Sequence, residues 1–171
     1  MSKEQRKQEI IKILKASNKP VSGGYLAEKL NVTRQVIVQD IALLRAENVN
    51  IMATARGYIF YGEENLSHKR AVTVCHGKEE IEDELTAIVD LGGRVLDVII
   101  EHPIYGQITG NLMIESRRDI KEFMEIMKKN NTVPLLRLTN KMHMHTIEAK
   151  SEKILDEIEE KLKEKRYLVF E

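Results

Sequence analysis

The sequence contains a single cysteine, Cys75, among its 171 residues. One cysteine excludes an intramolecular disulfide and every cysteine-rich zinc module. Any metal site in this chain therefore has to be built from histidine and carboxylate side chains.

Long apolar runs are also missing. No run approaches the roughly 18 residues of a membrane-spanning helix. The first residues, Met1 to Lys7, lack the apolar core of a signal peptide. The sequence therefore predicts a globular, cytoplasmic protein without a membrane partner. A chain of 171 residues can bury a core, either as one domain or as two small ones.

The net charge of zero hides an uneven distribution of the two signs. Residues 1–62 carry 10 Lys and Arg against 5 Asp and Glu, a net charge of +5. Residues 63–171 carry the remaining 17 against 22, a net charge of −5. Because neutralised phosphates release counterions, a basic segment suits a polyanion. We expect the first half to bind nucleic acid and the second half not to lie on DNA.

The first half shows helix signals followed by a hairpin signal. Apolar residues recur at helical spacing from Lys3 to Ser17, a second short helix follows Ser22, and Thr33 caps a third helix that runs to about Asn48. In the third helix we assign the buried stripe to Val36, Ile37, Ile41, Leu43 and Leu44. Residues 51–54 and 58–61 flank a turn that contains Arg56 and Gly57, which predicts a β-hairpin with a basic tip.

This order resembles the winged helix-turn-helix of the biotin-repressor type over about residues 4–61. The motifs are Leu26 to Gln35, Asp40 to Arg45 and the wing glycine Gly57. Arg and Gln near the start of a recognition helix can contact guanine and adenine edges in the major groove. We predict DNA contacts at Thr33, Arg34, Gln35, Gln39, Arg45 and, on the wing, Arg56. The alternative is that these are solvated faces of a protein-binding domain.

The second half alternates short strands and helices after a charged linker at 63–70, where His68 is expected to be solvated. This pattern predicts an α+β domain, residues 71–171, with an open sheet covered by helices. Strands are predicted at 71–75, 95–100, 108–114, 135–138, 142–149 and 167–170, and helices at 79–91, 116–129 and 151–165.

Two of the five histidines, His143 and His145, lie two positions apart in a predicted strand. Side chains at i and i+2 leave the same face of a strand, roughly 7 Å apart at the backbone, so both imidazoles can reach one small target. Taken alone, a His-x-His pair is a weak signal. Each histidine has the alternative of an ordinary structural hydrogen bond.

Glu84 and His76 strengthen the prediction of a metal site. Glu84 shares the apolar face of its helix with Ile81 and Ile88, and a carboxylate that faces a core is costly unless a cation accompanies it. His76 ends the preceding strand near the start of that helix. His76, Glu84, His143 and His145 thus form a candidate site for Ni, Zn or Fe. The alternative for Glu84 is that it reaches solvent. Cys75 is expected to be a buried apolar residue.

The whole chain resembles the 3H-domain family. The resemblance rests on Val74 to Gly77, Glu84 to Gly93, Glu101 to Gly106 and His143 to Thr146. It implies a non-enzymatic, niacin-responsive repressor of NAD biosynthesis and niacin uptake genes, with the same four metal ligands. It also implies nicotinic acid as corepressor and a homodimer on a palindromic DNA operator.

Candidates for an effector pocket are His102 and Tyr105 in a Pro-bounded turn and Arg118 at a helix start. The alternative for His102 and Tyr105 is a turn stabilised by ordinary hydrogen bonds, and the alternative for Arg118 is a solvated charge. Nicotinate could complete the metal shell, or the metal could be structural with the corepressor bound nearby. Two further functions stay open: a regulator that senses the metal itself, and a metal-dependent hydrolase fused to a DNA-binding domain. No carboxylate is placed convincingly as a general base for the hydrolase.

Overall fold

The computed structural model describes residues 1–62, 67–131 and 133–169. The chain divides into two compact units, Met1–Glu63 and Glu64–Glu171. None of the described helices is long and apolar enough to cross a membrane.

The N-terminal unit contains three helices and a two-stranded antiparallel sheet. Each helix begins where a hydroxyl caps it, because Ser2, Ser22 and Thr33 accept hydrogen bonds from backbone N–H groups of the first turn. The elements are α1 (Lys3–Lys15), α2 (Gly23–Lys29), α3 (Arg34–Ala46), β1 (Ile51–Thr54) and β2 (Gly57–Phe60). The predicted helix-turn-helix with a wing is confirmed.

Polar contacts also join the segments of this unit beyond its apolar core. Arg6 of α1 donates to the buried Asp40 of α3, with 2.5 Å between Nε and Oδ2. Val21 pairs with Tyr58 of β2 through two backbone hydrogen bonds of 2.8 Å, so the wing is attached to the chain just before α2. The core consists of Ile10, Leu14, Leu26, Ile37, Ile41 and Leu44 with smaller contributions from Ala27, Leu30 and Ile51.

The C-terminal unit is built on a four-stranded antiparallel sheet with strand order β3-β6-β4-β5. Its strands are β3 (His68–Cys75), β4 (Arg94–His102), β5 (Gly106–Ile114) and β6 (Met142–Ala149). Its helices are α4 (Ile81–Asp90), α5 (Arg117–Asn130) and α6 (Glu152–Glu164), with 3₁₀ turns at Lys78–Glu80 and Leu135–Thr139. The predicted α+β class is confirmed.

One face of the β3–β6 pair enters the core and the other is more open. Burial alternates along β3: Val72 and Val74 are buried, and Thr73 and Cys75 are more exposed. The buried strand residues pack with Leu85 and Ile88 of α4 and with Leu155, Ile158 and Leu162 of α6. His143 and His145 belong to this covered face because they stand opposite Val74 and Val72 in the register.

The prediction that Cys75 is buried is wrong. Cys75 pairs with the exposed Met142 on the open face of the sheet. Leu43 is likewise exposed, because the buried stripe of α3 follows Ile37, Asp40, Ile41 and Leu44 at helical spacing.

Three predicted boundaries also differ from the structure. Residues 135–139 form a 3₁₀ turn rather than a strand, and only Leu136 of this short apolar run is fully buried. A short segment of three leucines and one arginine does not distinguish a strand from a helical turn. The predicted linker ends earlier than expected, since β3 already begins at His68; residues 63–66 lie outside the described residues. The predicted last strand is reduced to one bridge between Leu168 and Val74, and Phe170 is outside the described residues.

Candidate nucleic-acid interface and metal centre

The recognition helix α3 presents a polar face opposite its buried stripe. Arg34, Gln35 and Gln39 are exposed there, and Arg45 is exposed near the C-terminal end of the same helix. The Thr33 hydroxyl accepts from the Val36 N–H at 3.4 Å, so it caps the helix. This arrangement brings Arg and Gln side chains to the start of the helix, where they can reach a major groove.

Arg34 and Arg56 lie against neighbouring parts of the unit. A Cβ added to Gly23 would lie 3.6 Å from the Arg34 Nε and 3.4 Å from the Tyr58 ring, so Arg34 packs over the start of α2 beside the wing. Arg56 occupies the turn between β1 and β2, where its N–H donates to the Thr54 hydroxyl at 3.2 Å. The recognition helix and the wing thus offer the two basic elements that the sequence predicted.

Three imidazoles of the C-terminal unit converge on one buried carboxylate oxygen. The Nε2 atoms of His76, His145 and His143 lie 2.5, 3.4 and 3.7 Å from the Oε2 atom of Glu84. All four residues are buried, and Glu84 is only 1% exposed. Ligating atoms of His76, Glu84 and His143 all lie within 4.8 Å of one another. The structure therefore brings together the four residues predicted as metal ligands.

Each of the three imidazoles has its other ring nitrogen fixed by the backbone. The Nδ1 atoms lie at hydrogen-bond distance from three carbonyl oxygens: Gly77 for His76 (2.9 Å), Lys141 for His143 (2.9 Å) and Asp97 for His145 (2.6 Å). A carbonyl oxygen only accepts, so each Nδ1 must carry the proton. In the neutral ring the Nε2 lone pair then points toward Glu84. This is the arrangement that orients histidine ligands in metal sites.

Glu84 lies in the first turn of α4, where the helix dipole favours a carboxylate. Its Oε1 atom is buried and makes no hydrogen bond to any residue that the structure describes. A buried, unpaired carboxylate oxygen is costly. Three inward Nε2 lone pairs and this carboxylate need positive charge between them, which protons or a metal cation can supply. The residues present therefore fit a divalent transition metal.

The electrostatics of the cluster follow from the same contacts. Burial raises the pKa of Glu84, but the charge of His145 and hydrogen bonds from the three imidazoles lower it well below the ordinary carboxyl value. Burial lowers the pKa of His76 and His145, yet the Glu84 carboxylate holds both above the ordinary value of 6.5. Without a metal, the raised pKa values favour protonation of His76 and His145. A metal ion that binds here has to displace such protons.

The predicted effector residues form two separate arrangements. His102 and Tyr105 are at the turn between β4 and β5, where the His102 Nδ1 accepts from the Ile104 and Tyr105 N–H groups at 3.2 and 3.3 Å. Their rings stack at 5.0 Å, and Tyr105 is 75% exposed. Arg118, in the first turn of α5, pairs instead with Glu122. The hydrogen bonds at His102 are those expected for a stabilised turn.

Two residues next to the cluster were missed by the sequence reasoning. Tyr167 places its ring 5.0 Å from that of His76 and donates its hydroxyl to Asp83 at 2.7 Å. Asp97 contacts His145 from the middle of β4. Neither residue has a sequence signal, because both contacts depend on tertiary pairing.

A capped recognition helix and wing, joined to a separate α+β domain, define a helix-turn-helix transcription regulator. Comparison with known proteins agrees with this class. A model of the HTH domain matches residues 6–59, and a model of the 3H domain matches residues 69–171. The chain belongs to the 3H-domain transcription repressors of the NiaR and NadR type.

Two curated relatives span nearly the whole chain. It is 46% identical over 169 residues to the probable transcription repressor NiaR of Thermotoga maritima, covering 99% of this chain and 96% of that protein. It is 40% identical over 167 residues to the transcription repressor NadR of Bacillus subtilis, covering 96% of this chain and 93% of that protein. Full-length similarity to named repressors supports a regulator and not a hydrolase.

Proposed function

We propose that this protein represses genes of NAD biosynthesis and niacin uptake, with nicotinic acid as corepressor and a divalent transition metal, Ni, Zn or Fe, in its C-terminal domain. Residues 1–62 contact double-stranded operator DNA in the cytoplasm, and residues 71–171 hold the metal and the effector. The observation that carries the proposal is the convergence of three backbone-fixed imidazoles on one buried carboxylate, in a chain that also presents a recognition helix.

In the DNA-binding step, the polar face of α3 enters a major groove. Arg34, Gln35 and Gln39 contact base edges, since Arg and Gln can form paired hydrogen bonds with guanine and adenine. Thr33 contacts the groove together with these residues, and Arg45 is a further DNA contact on the same helix. Arg56 reaches the adjacent minor groove or a phosphate from the wing. The exposure of the α3 residues supports these assignments.

In the effector domain, His76, Glu84, His143 and His145 hold the metal. When bound, the ion supplies a Lewis-acidic position for the carboxylate or ring nitrogen of nicotinate, because four protein ligands leave room on an ion that prefers five or six. The backbone carbonyls keep the three Nε2 atoms directed inward. His102, Tyr105 and Arg118 are the candidates for further contacts with the effector.

Corepressor binding acts through a homodimer in this proposal. A dimer can present two recognition helices to half-sites about one DNA turn apart, ~34 Å. Nicotinic acid then needs only to favour the dimer geometry that matches this spacing. The palindromic operator follows from the two-fold symmetry of the dimer.

A second candidate is a regulator whose effector is the metal itself. One observation favours it: three imidazoles and one carboxylate already complete the tetrahedral shell that Zn prefers. In that case nicotinic acid has no effect on DNA binding, while the metal does.

The two candidates can be separated by titrating labelled operator DNA with the protein. The operator is first selected from a pool of random duplexes with Ni or Zn and nicotinate present. Affinity is then measured by fluorescence anisotropy with and without nicotinate, and with and without a chelator. We expect tight, sequence-specific binding only when both nicotinate and metal are present. Binding that follows the metal and ignores nicotinate would contradict the corepressor assignment and favour the metal sensor.

A matched pair of variants tests the DNA face. Arg34→Ala removes a charge from the start of the recognition helix, and Lys12→Ala removes a charge from the exposed side of α1. Losing a base contact costs about 1–3 kcal/mol of discrimination against the wrong base. We therefore expect Arg34→Ala to weaken operator binding more than random-sequence binding. Lys12→Ala should leave the ratio of operator affinity to random-sequence affinity unchanged. If both variants change this ratio equally, the assignment of Arg34 to a base contact is contradicted.

A further inference from the structure

The pairing between β4 and β6 is irregular beside the metal ligands. Val95 stands opposite Ile147 and Ile99 opposite Met144, so four steps along β4 match three steps along β6. The extra residue of β4 is a β-bulge, and Asp97 lies inside it. Bulges commonly redirect a group from the sheet toward a site.

Asp97 contacts two consecutive residues of the ligand-bearing strand. Its carbonyl oxygen accepts the Nδ1–H of His145 at 2.6 Å, and its carboxylate Oδ1 accepts the backbone N–H of Thr146 at 2.8 Å. The Asp97 carboxylate thus ties the β4 bulge to the backbone of β6. This contact holds the Asp97 carbonyl oxygen at the Nδ1 atom of His145.

His145 differs in this respect from the other two histidines. His76 and His143 donate to carbonyls of their own neighbourhood, Gly77 and Lys141, one and two positions away. His145 donates to a residue 48 positions away on another strand. Its ring orientation therefore depends on the β4 bulge, whereas the other two depend on local chain geometry.

We propose that Asp97 is a positioning residue of the metal site. Its carboxylate fastens the bulge to Thr146, and the bulge presents the carbonyl that keeps the His145 proton on Nδ1 and the Nε2 lone pair toward Glu84. This inference rests on the metal site proposed above. It assigns a role to a residue that does not ligate the metal.

Two substitutions separate this role from a general effect on folding. Asp97→Ala removes the acceptor for the Thr146 N–H, and Asp97→Asn keeps a carbonyl oxygen that can replace it. Loss of an outer contact to a metal ligand typically costs about 10–100-fold in metal affinity. We expect a loss of that size for Asp97→Ala and a clearly smaller loss for Asp97→Asn. Ser116→Ala is the matched control, since it removes the N-cap hydrogen bond of α5 in the same domain.

The full-length variants are titrated with Zn and with Ni against a chromophoric chelator, and their stability is measured in urea. In parallel, imidazole ¹H–¹⁵N NMR of the metal-free proteins at alkaline pH reports which nitrogen of His145 carries the proton. We expect Ser116→Ala to lose stability and keep its metal affinity. Asp97→Ala should lose affinity and the defined Nδ1–H form of His145, while His76 and His143 keep theirs.

Two results would overturn the proposal. One is an Asp97→Ala variant that binds metal as tightly as the wild-type protein. The other is a Ser116→Ala variant that loses as much metal affinity as Asp97→Ala when both are equally destabilised. If the wild-type protein takes up neither Zn nor Ni, and does not bind Fe(II) added under anaerobic conditions either, the metal site itself is wrong. The NMR measurement still decides the role of Asp97 in that case, because an unchanged Nδ1–H on His145 in Asp97→Ala would refute it.

Discussion

Replacement of Glu84 by glutamine keeps the shape of the side chain and removes its charge where three imidazoles converge. In the wild-type protein the Oε2 atom lies 2.5–3.7 Å from three Nε2 atoms. The amide that the substitution introduces is a weaker ligand than a carboxylate, and its NH₂ group can donate to one of the Nε2 lone pairs. We therefore expect Glu84→Gln to fold and to lose metal binding.

The expected size of the effect follows from ligand linkage. A metal present at 100 times its Kd stabilises the native protein by about 2.7 kcal/mol. For a domain of about 100 residues this raises the Tm by roughly 10–20 °C. Glu84→Gln should gain almost none of this stabilisation at the same metal concentration. Without metal, at a pH above the lowered pKa of Glu84 and below the raised pKa values of His76 and His145, the variant should be less stable than wild type by about 1.5–3 kcal/mol, because it lacks a charge-assisted hydrogen bond.

Calorimetric melting with and without Zn or Ni, before and after chelation, measures these differences. Glu82→Gln is the matched control, since it makes the same chemical change at an exposed position of the same helix. The control should respond to metal as the wild type does. If Glu84→Gln gains as much stability from the metal as the wild type, the cluster does not hold the ion and the reasoning fails.

Two further predictions concern pH and the wing. In chelated protein, the contribution of His76 and His145 to the free energy of unfolding is complete below pH 6.5 and is lost as pH rises through their raised pKa values. The contribution of Glu84 is lost only as pH falls through its lowered pKa. Urea titrations from pH 5 to 9 should therefore show declining stability toward alkaline pH that added Zn restores, and a flat or rising profile above pH 6.5 would contradict this. Gly57 has φ +138°, and a Cβ there would lie 2.3 Å from the Val21 carbonyl oxygen. Gly57→Ala should therefore lower the free energy of unfolding in urea by at least about 1 kcal/mol and weaken DNA binding. Unchanged stability and DNA affinity would show that the wing tolerates this clash.

Much of the fold could be predicted because its signals are local. Ser22, Thr33 and Ser116 cap helices through hydroxyl groups that contact only their own first turn. Cap chemistry of this kind is visible in a sequence without knowledge of the tertiary structure. The run at 135–139 lacks such a signal, and its apolar residues fit a strand as well as a turn.

The clustering of the four proposed metal ligands could be predicted because periodicity places them. The i and i+2 spacing of His143 and His145 puts both on one strand face, and Glu84 lies on the apolar face of α4. Asp97 could not be found, since its role arises only when β4 acquires an extra residue against β6. Cys75 was misjudged for a related reason: alternation gives two faces of a strand but does not say which one the helices cover.

X-ray absorption spectroscopy of the metal-loaded, untagged protein examines the ligands of the proposed metal centre. We expect one Ni, Zn or Fe ion per chain with about three imidazole ligands, oxygen in the remaining positions and no sulfur scattering. His145→Ala and Glu84→Gln should each remove the ion or change its shell. An ion with a sulfur ligand, or one that keeps an unchanged shell in both variants, would contradict the assignment of the cluster as the metal centre.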